Sequence, residues 1–212
     1  MFVDVRGARK SFGDVVVLDN FSCTIEPGMV TALVGPSGSG KSTLLAAMAG
    51  FQQLDSGQIT YRHADGSVEP PTPQRIAWVS QGANALGART ALDNVMLSAL
   101  AAGAGLFAAS RSAETQLEKV GLSDRMHTLA KHLSGGELQR VGFARALAAA
   151  KPLIFADEPT SSLDAANTDQ VAELLHTLRE TATIVVATHD PRLVETAHAV
   201  VHVRRQHVPG AA

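Results

Sequence analysis

Gly35, Pro36, Ser37, Gly38, Ser39, Gly40, Lys41, Ser42 and Thr43 follow the spacing G-x-x-x-x-G-K-[ST], which suits a polyphosphate. Glycines let successive backbone N–H groups turn inward around phosphate oxygens, where side chains would collide. Lys41 adds a point charge for the β- and γ-phosphates, and the Ser42 hydroxyl is a hard oxygen ligand for Mg2+. Farther along, the apolar run Leu153–Ala156 ends in Asp157 and Glu158. At a strand tip Asp157 would hold the same Mg2+, directly or through water, and Glu158 would polarise an attacking water as a general base. A solvated pair of acids at a strand end is the plainer alternative, and the phosphate loop weighs against it.

A second anion site of the same physical kind lies at Ser134, Gly135, Gly136 and Glu137, where a serine and bare backbone N–H groups open a helix. Taken alone it is simply a good helix cap. Two phosphate-binding helix starts are one too many for a single nucleotide, and the surplus is resolved if the second serves the nucleotide of another copy.

These groups need elements to hold them. Strands are expected at Phe2–Ala8, Val15–Val17, Phe21–Ile25 and Val30–Val34, where β-branched residues alternate with turns at Gly13-Asp14 and Pro27-Gly28. Val30–Val34 runs into the phosphate loop, and Lys41–Ala49 reads as the helix after it, closed by Gly50. Short strands at Gln58–Arg62 and Arg75–Val79 flank a polar loop, His63–Gln74. The pattern then turns helical at Leu92–Ala102, Ser112–Val120 and Glu137–Ala150. Leu153–Ala156 has the continuous apolarity of a buried parallel strand. A helix over Ala165–Thr181, a strand over Thr183–Thr188, a helical piece near Arg192–Thr196 and a strand over Ala199–Arg204 complete the chain. Strands alternating with helices on either side of a helical block imply an α/β core with a helical insertion.

The 212 residues are 45% hydrophobic and 18% charged, enough for a large core and too apolar for disorder. A net charge of −2 argues against a nucleic-acid binder that works by neutralising phosphates. The one cysteine, Cys23, lies in an alternating run and reads as a small core residue of a protein in a reducing compartment. His63, His127, His132, His176, His198, His202 and His207 lack metal-ligand spacing, so no zinc is expected. The N-terminal MFVDVRGARK carries charges where an export signal needs an apolar core. Leu97–Ala109, the most apolar stretch, is too short to span a bilayer, so a membrane role would come through a partner.

With these motifs in order, the chain resembles the ATP-binding cassette ATPases along essentially its whole length. LSGGELQR at Leu133–Arg140, shortly ahead of ADEPT at Ala156–Thr160, resembles that family's signature. The resemblance implies a P-loop NTPase (RecA-like) α/β core with an N-terminal antiparallel β subdomain and an inserted helical subdomain. Residues 1–82 and 151–212 would form the core and 83–150 the helical signature subdomain. It implies ATP and Mg2+ as ligands and hydrolysis of ATP. Gln81, ending IAWVSQ, resembles the glutamine that reaches the metal and attacking water and couples the site to a transmembrane partner. His189, in ATHD, resembles the histidine that holds the γ-phosphate. Without that context it would read as a capping or core histidine. Ser161 and Asp164, in SSLD, resemble the loop that crosses a dimer interface. Phe12, in KSFGD, stands where an aromatic stacks on adenine, a place more usually taken by tyrosine. Stacking needs only a π face and is worth roughly 1–3 kcal/mol, so phenylalanine suffices; a core aromatic is the alternative.

The implied function is the ATPase subunit of a membrane transporter, with ATP sandwiched between Gly35–Thr43 of one copy and Ser134–Gly136 of another. It would sit in the cytoplasm, peripheral on the inner face of the cell membrane, through a permease contacting Gly82–Ala109. Short cassettes of this layout, which end soon after the last strand, resemble those of macrolide- or lipoprotein-type exporters. A soluble cassette ATPase of DNA repair, translation or cell division is the competing reading; known ones tend to carry coiled coils, zinc modules or a second cassette. A GTPase or other phosphoryl-transfer enzyme would leave Ser134–Gly136 unexplained, and the guanine-reading N-K-x-D is absent.

Overall fold

A computed structural model describes residues 1–80, 82, 84–178 and 182–204. In chain order the first elements are β1 (Phe2–Phe12), β2 (Val15–Ile25), β3 (Val30–Val34), α1 (Lys41–Met48), β4 (Ser56–Arg62), β5 (Val68–Glu69) and β6 (Ile76–Val79). Three helices follow, α2 (Ala91–Ala101), α3 (Leu106–Lys119) and α4 (Gly135–Ala148). The chain then returns to alternation with β7 (Leu153–Asp157), α5 (Ala165–Leu178), β8 (Thr183–Thr188), α6 (Pro191–Glu195) and β9 (Ala199–His202).

The strands form two sheets. One is antiparallel in the order β2-β1-β4-β5, the other parallel in the order β6-β7-β8-β3-β9. Side chains alternate across a strand, and each face of the parallel sheet has its own core. Ile154, Ala156, Ile184 and Val186 pack with α2–α5 on one side. Leu153, Phe155, Val185 and Ala187 pack with α1 and the antiparallel sheet on the other. Burial on both faces is why Leu153–Ala156 in β7 and Ile184–Ala187 in β8 are unbroken apolar runs. Tyr61 joins the layers: fully buried on β4, its hydroxyl donates to Met48 O at 2.5 Å, at the C-terminus of α1.

The expected α/β core with an antiparallel β region and a helical block is what forms, with changes at several boundaries. β1 extends to Phe12, and the two expected strands Val15–Val17 and Phe21–Ile25 are one strand. Register shifts along β1 and the left-handed Asn20 (φ 50°) let the ladder continue through Asp19-Asn20, the behaviour of a β-bulge. The polar loop 63–74 contributes the short β5. Helix α3 begins at Leu106 because Ala109, Ala113 and Leu117 make one buried stripe, so the apolar run Leu97–Ala109 divides between two helices. Cys23 is half-buried at the core edge, and desolvation pushes its thiol up to about 12. Residues 179–181, at the end of the expected helix Ala165–Thr181, lie outside the described residues.

Candidate functional site

Strand β3 delivers the chain into the phosphate loop, and α1 starts directly after it. Gly40 caps that helix at φ +97°, a region closed to most side chains. A Cβ there would also stand 2.7 Å from Val17 Cγ1 and 3.0 Å from Val17 O, so the loop lies tight against β2. Lys41 is 5% exposed and bends back over the loop, donating from Nζ to Gly35 O at 2.9 Å and Pro36 O at 3.4 Å. Ser39 Oγ is buried in the same loop with no hydrogen-bond partner among the described residues.

Two acids come to this loop from the tip of β7. Asp157 Oδ1 accepts from Ser42 Oγ at 2.8 Å. Burial raises the Asp157 carboxyl above its ordinary value; the Ser42 hydrogen bond opposes this and the neighbouring Glu158 adds to it. Ligands in adjacent positions of octahedral Mg2+, at about 2.0–2.1 Å from the metal, stand ~2.9 Å apart. The Ser42–Asp157 pair therefore has the oxygen chemistry and the spacing for that ion.

Glu158 turns back on itself at φ +44°, uncommon for a residue with a side chain. Its N–H donates to Ala187 O at 2.9 Å, and its own carbonyl accepts from Ser161 N and Oγ at 3.2 and 2.9 Å. The turn aims the carboxylate between Lys41 Nζ, 3.3 Å away, and His189 Nδ1, 2.9 Å away. Backbone strain of this kind persists where surrounding bonds over-determine it. His189, beyond the end of β8, keeps an exposed ring.

The expected second anion site, Ser134–Gly136, lies at the start of α4, with Ser134 and Gly135 exposed and Gly136 buried. Ser134 and Glu137 form a reciprocal capping box: Ser134 Oγ accepts from Glu137 N at 3.2 Å and Glu137 Oε2 from Ser134 N at 2.8 Å. Arg125 holds the other Glu137 oxygen at 3.1 Å. Burial works to raise the Glu137 carboxyl, but the Ser134 hydrogen bonds and the Arg125 charge outweigh it and hold it below its usual value. Gly136 is buried against Asn167, whose Oδ1 would lie 1.9 Å from any Cβ. Asn167 in turn donates from N and Nδ2 to Asp164 Oδ1, both at 2.9 Å. The segments of Ser134–Gly136 and of Ser161–Asp164 are thus joined within one chain.

Phe12 ends β1 at the hairpin and is 51% exposed, so it is no core aromatic. Gln81 lies outside the described residues. No spacing in the sequence announces the contacts of Asn167, Arg125 and Gln139, whose Nε2 reaches Ser80 O at 3.4 Å. The capping box S-x-x-E was a legible signal; the contacts of these three residues carried none.

The sequence pattern of the ABC transporter family matches residues 18–161. The chain is 37% identical to the lipoprotein-releasing system ATP-binding protein LolD of Porphyromonas gingivalis, over 96% of this chain and 97% of LolD. It is 35% identical to the macrolide export ATP-binding/permease protein MacB of Neisseria meningitidis, over 95% of this chain but 33% of MacB. Among solved structures, the dimeric bacterial ABC transporter cassette MJ0796 matches with a TM-score of 0.80 at 27% identity, covering 98% of this chain and 99% of that one. The same cassette in its dimeric post-hydrolysis state, bound to ADP and Pi, gives 0.79 at 28% identity, with 97% of each chain covered. A phosphate loop, two acids at a strand tip and a glycine-opened signature helix within this fold leave one conclusion: the chain belongs to the ABC transporter family, as an ATP-binding, ATP-hydrolysing cassette.

Proposed function

We propose that this chain powers a membrane transporter by pairing with a second copy around two shared ATP molecules and driving a transmembrane permease. The observation that carries the reading is the Glu158 carboxylate, held between Lys41 and His189 beside the Ser42–Asp157 pair. Backbone N–H groups of Gly35–Thr43 and the start of α1 bind the phosphates, and Lys41 turns from its carbonyl partners to the β- and γ-oxygens. Ser42 and Asp157, with Gln81, hold Mg2+, which when bound neutralises charge on the phosphate oxygens. Glu158 takes a proton from the attacking water, and His189 donates to the γ-phosphate. Ser134, Gly135 and Gly136 present their donors to the nucleotide of the partner copy, with Glu137 stiffening that cap, and Ser161 and Asp164 lie at the shared interface. Phe12 offers its exposed ring to adenine.

The permease contact is assigned to the segment after β6. Leu86, Leu97, Leu106 and Phe107 are exposed there, Phe107 by 77%, and a cleft of about 350 Å³ opens between Trp78, Ser80, Asn84, Ser98 and Arg145. Among the described residues no helix is long and apolar enough to cross a membrane, which fits a subunit held peripherally on the inner face through that permease. The names of LolD and MacB support an exporter of lipoprotein or macrolide type.

The test is Glu158→Gln. Turnover should fall by about 10²–10⁴-fold, the range for loss of a general base, while ATP stays bound and ATP-dependent dimers accumulate in light scattering. If the variant turns over ATP normally, or fails to dimerise while still binding ATP, this assignment is wrong.

A further inference from the structure

Phe12 has no polar atom to fix its ring, it ends a strand, and it is half exposed. A platform for a nucleobase nevertheless has to be still before the base arrives, because ordering it afterwards reduces the affinity gained. The neighbouring residues supply the restraint. The ladder between β1 and β4 ends with the pair Arg9–Ser56, so Lys10, Ser11 and Phe12 project past the edge of β4. Asp55, just before β4, takes over where the ladder stops. Its N–H donates to Arg9 O at 2.8 Å, its Oδ2 accepts from Ser11 N at 2.6 Å, and its Oδ1 accepts from Lys10 Nζ at 2.9 Å. One side chain and its own amide therefore grip the three residues immediately ahead of Phe12.

The Lys10 ammonium also lies 5.4 Å from the centroid of the Phe12 ring. Exposed surface ion pairs contribute little; here the Lys10 side chain is 13% exposed and that of Asp55 40%, so the pair matters for where it places the ammonium. Its position has two consequences for the ring. The cation occupies one face, which leaves the other for a base. It also draws π density toward itself, and this lessens the electrostatic penalty of stacking a second π system face to face.

We infer that Asp55 and Lys10 are positioning residues that set the Phe12 ring for the base, and so determine how strongly the site prefers a nucleotide to a bare polyphosphate. This rests on the reading that Phe12 stacks on the base of ATP. Neither residue touches the phosphates in this scheme, so their effect is confined to the base-dependent part of binding.

The experiment compares the affinities of Mg-ATP and Mg-tripolyphosphate for the full chain by calorimetry. Lys10→Met and Asp55→Asn should each lower the ATP-to-tripolyphosphate affinity ratio by about two- to tenfold, with tripolyphosphate affinity unmoved. Lys10→Arg, which keeps a cation over the ring and a donor for Asp55, should restore the ratio. In a Phe12→Ala background Lys10→Met should have no further effect. A wild-type preference for ATP that survives both Lys10→Met and Asp55→Asn overturns the inference alone. Equal affinities for the two ligands in the unsubstituted protein overturn the base-stacking reading and the inference with it. A parallel fall in both affinities shows a general disturbance of the site and overturns the positioning role.

Discussion

Ser42 Oγ donates a 2.8 Å hydrogen bond to Asp157 Oδ1 across 115 positions of sequence. The contact exists because β3 and β7 are both neighbours of β8, and α1, rising from the end of β3, packs against the same face as Phe155 and Val185. It brings a helix start and a strand tip to one point, where each supplies an oxygen.

Lys41 stands at the centre of this point, bonded to two loop carbonyls and paired with Glu158. Lys41→Ala should weaken ATP binding by about ten- to hundredfold, the size of one charge-assisted hydrogen bond. Titration with a fluorescent ATP analogue measures it, and an unchanged affinity would contradict the assignment.

Gly136→Ala places a methyl 1.9 Å from Asn167 Oδ1 and 2.8 Å from its Cβ, too close for a rotamer change alone to relieve. The start of α4 should move away from α5 and carry the donors of Ser134 with it. ATP should still bind the phosphate loop, while the ATP-dependent dimer is lost in light scattering. A variant that dimerises normally would separate the signature segment from the interface.

Tyr61→Phe deletes the only donor found on Met48 O, the last carbonyl of α1, among the described residues. Burial holds the Tyr61 hydroxyl protonated by raising it well above its ordinary value, so the donor is present at every physiological pH. The substitution should cost about 1–3 kcal/mol, a fall in Tm of roughly 2–10 °C for a chain of this size. A Tm within a degree of wild type would show that the two layers do not depend on this bond.

Asp4 is buried on β1 and accepts from Arg62 Nε at 2.8 Å and Thr24 Oγ1 at 2.9 Å. The Arg62 hydrogen bond holds its carboxyl below the usual range, against the opposing effect of burial. A depressed folded-state value gives stability that is complete above the unfolded value, about 3.9. That stability is lost as pH falls through the lower folded value. Asp4→Asn should therefore reduce the slope of stability against pH below about pH 4. Urea titrations across that range read the slope, and an unaltered one would remove Asp4 from the acid limb.

The candidate motifs at Gly35–Thr43, Leu153–Glu158 and Ser134–Gly136 were legible because each is local. A glycine-rich turn, an apolar strand ending in two acids, and a serine and two glycines opening a helix are short-range devices whose geometry follows from adjacent residues. The element types were legible for the same reason. Leu153–Ala156 of β7 and Ile184–Ala187 of β8 are apolar because both faces are buried, and α5 carries its stripe at helical spacing. The continuity of β2 through Asn20 escaped, because a bulge is stabilised by the partner strand and not by its own residues. The start of α3 escaped because Gly105 and the exposed Leu106-Phe107 carry no side-chain cap.

Local chemistry thus marked two glycine-bearing helix starts and one pair of strand-tip acids as candidate site elements. Whether they would meet was a matter of packing. The order β6-β7-β8-β3-β9 puts Asp157 against Ser42 and Glu158 between Lys41 and His189, whereas Ser134–Gly136 opens α4 with Ser134 and Gly135 exposed and Gly136 buried. Contacts such as Asn167 on Gly136, or Asp55 beneath the residues leading to Phe12, depend on which backbones lie side by side. Strand order and layer packing decide that through burial summed over the whole core, and no short stretch of residues encodes the sum.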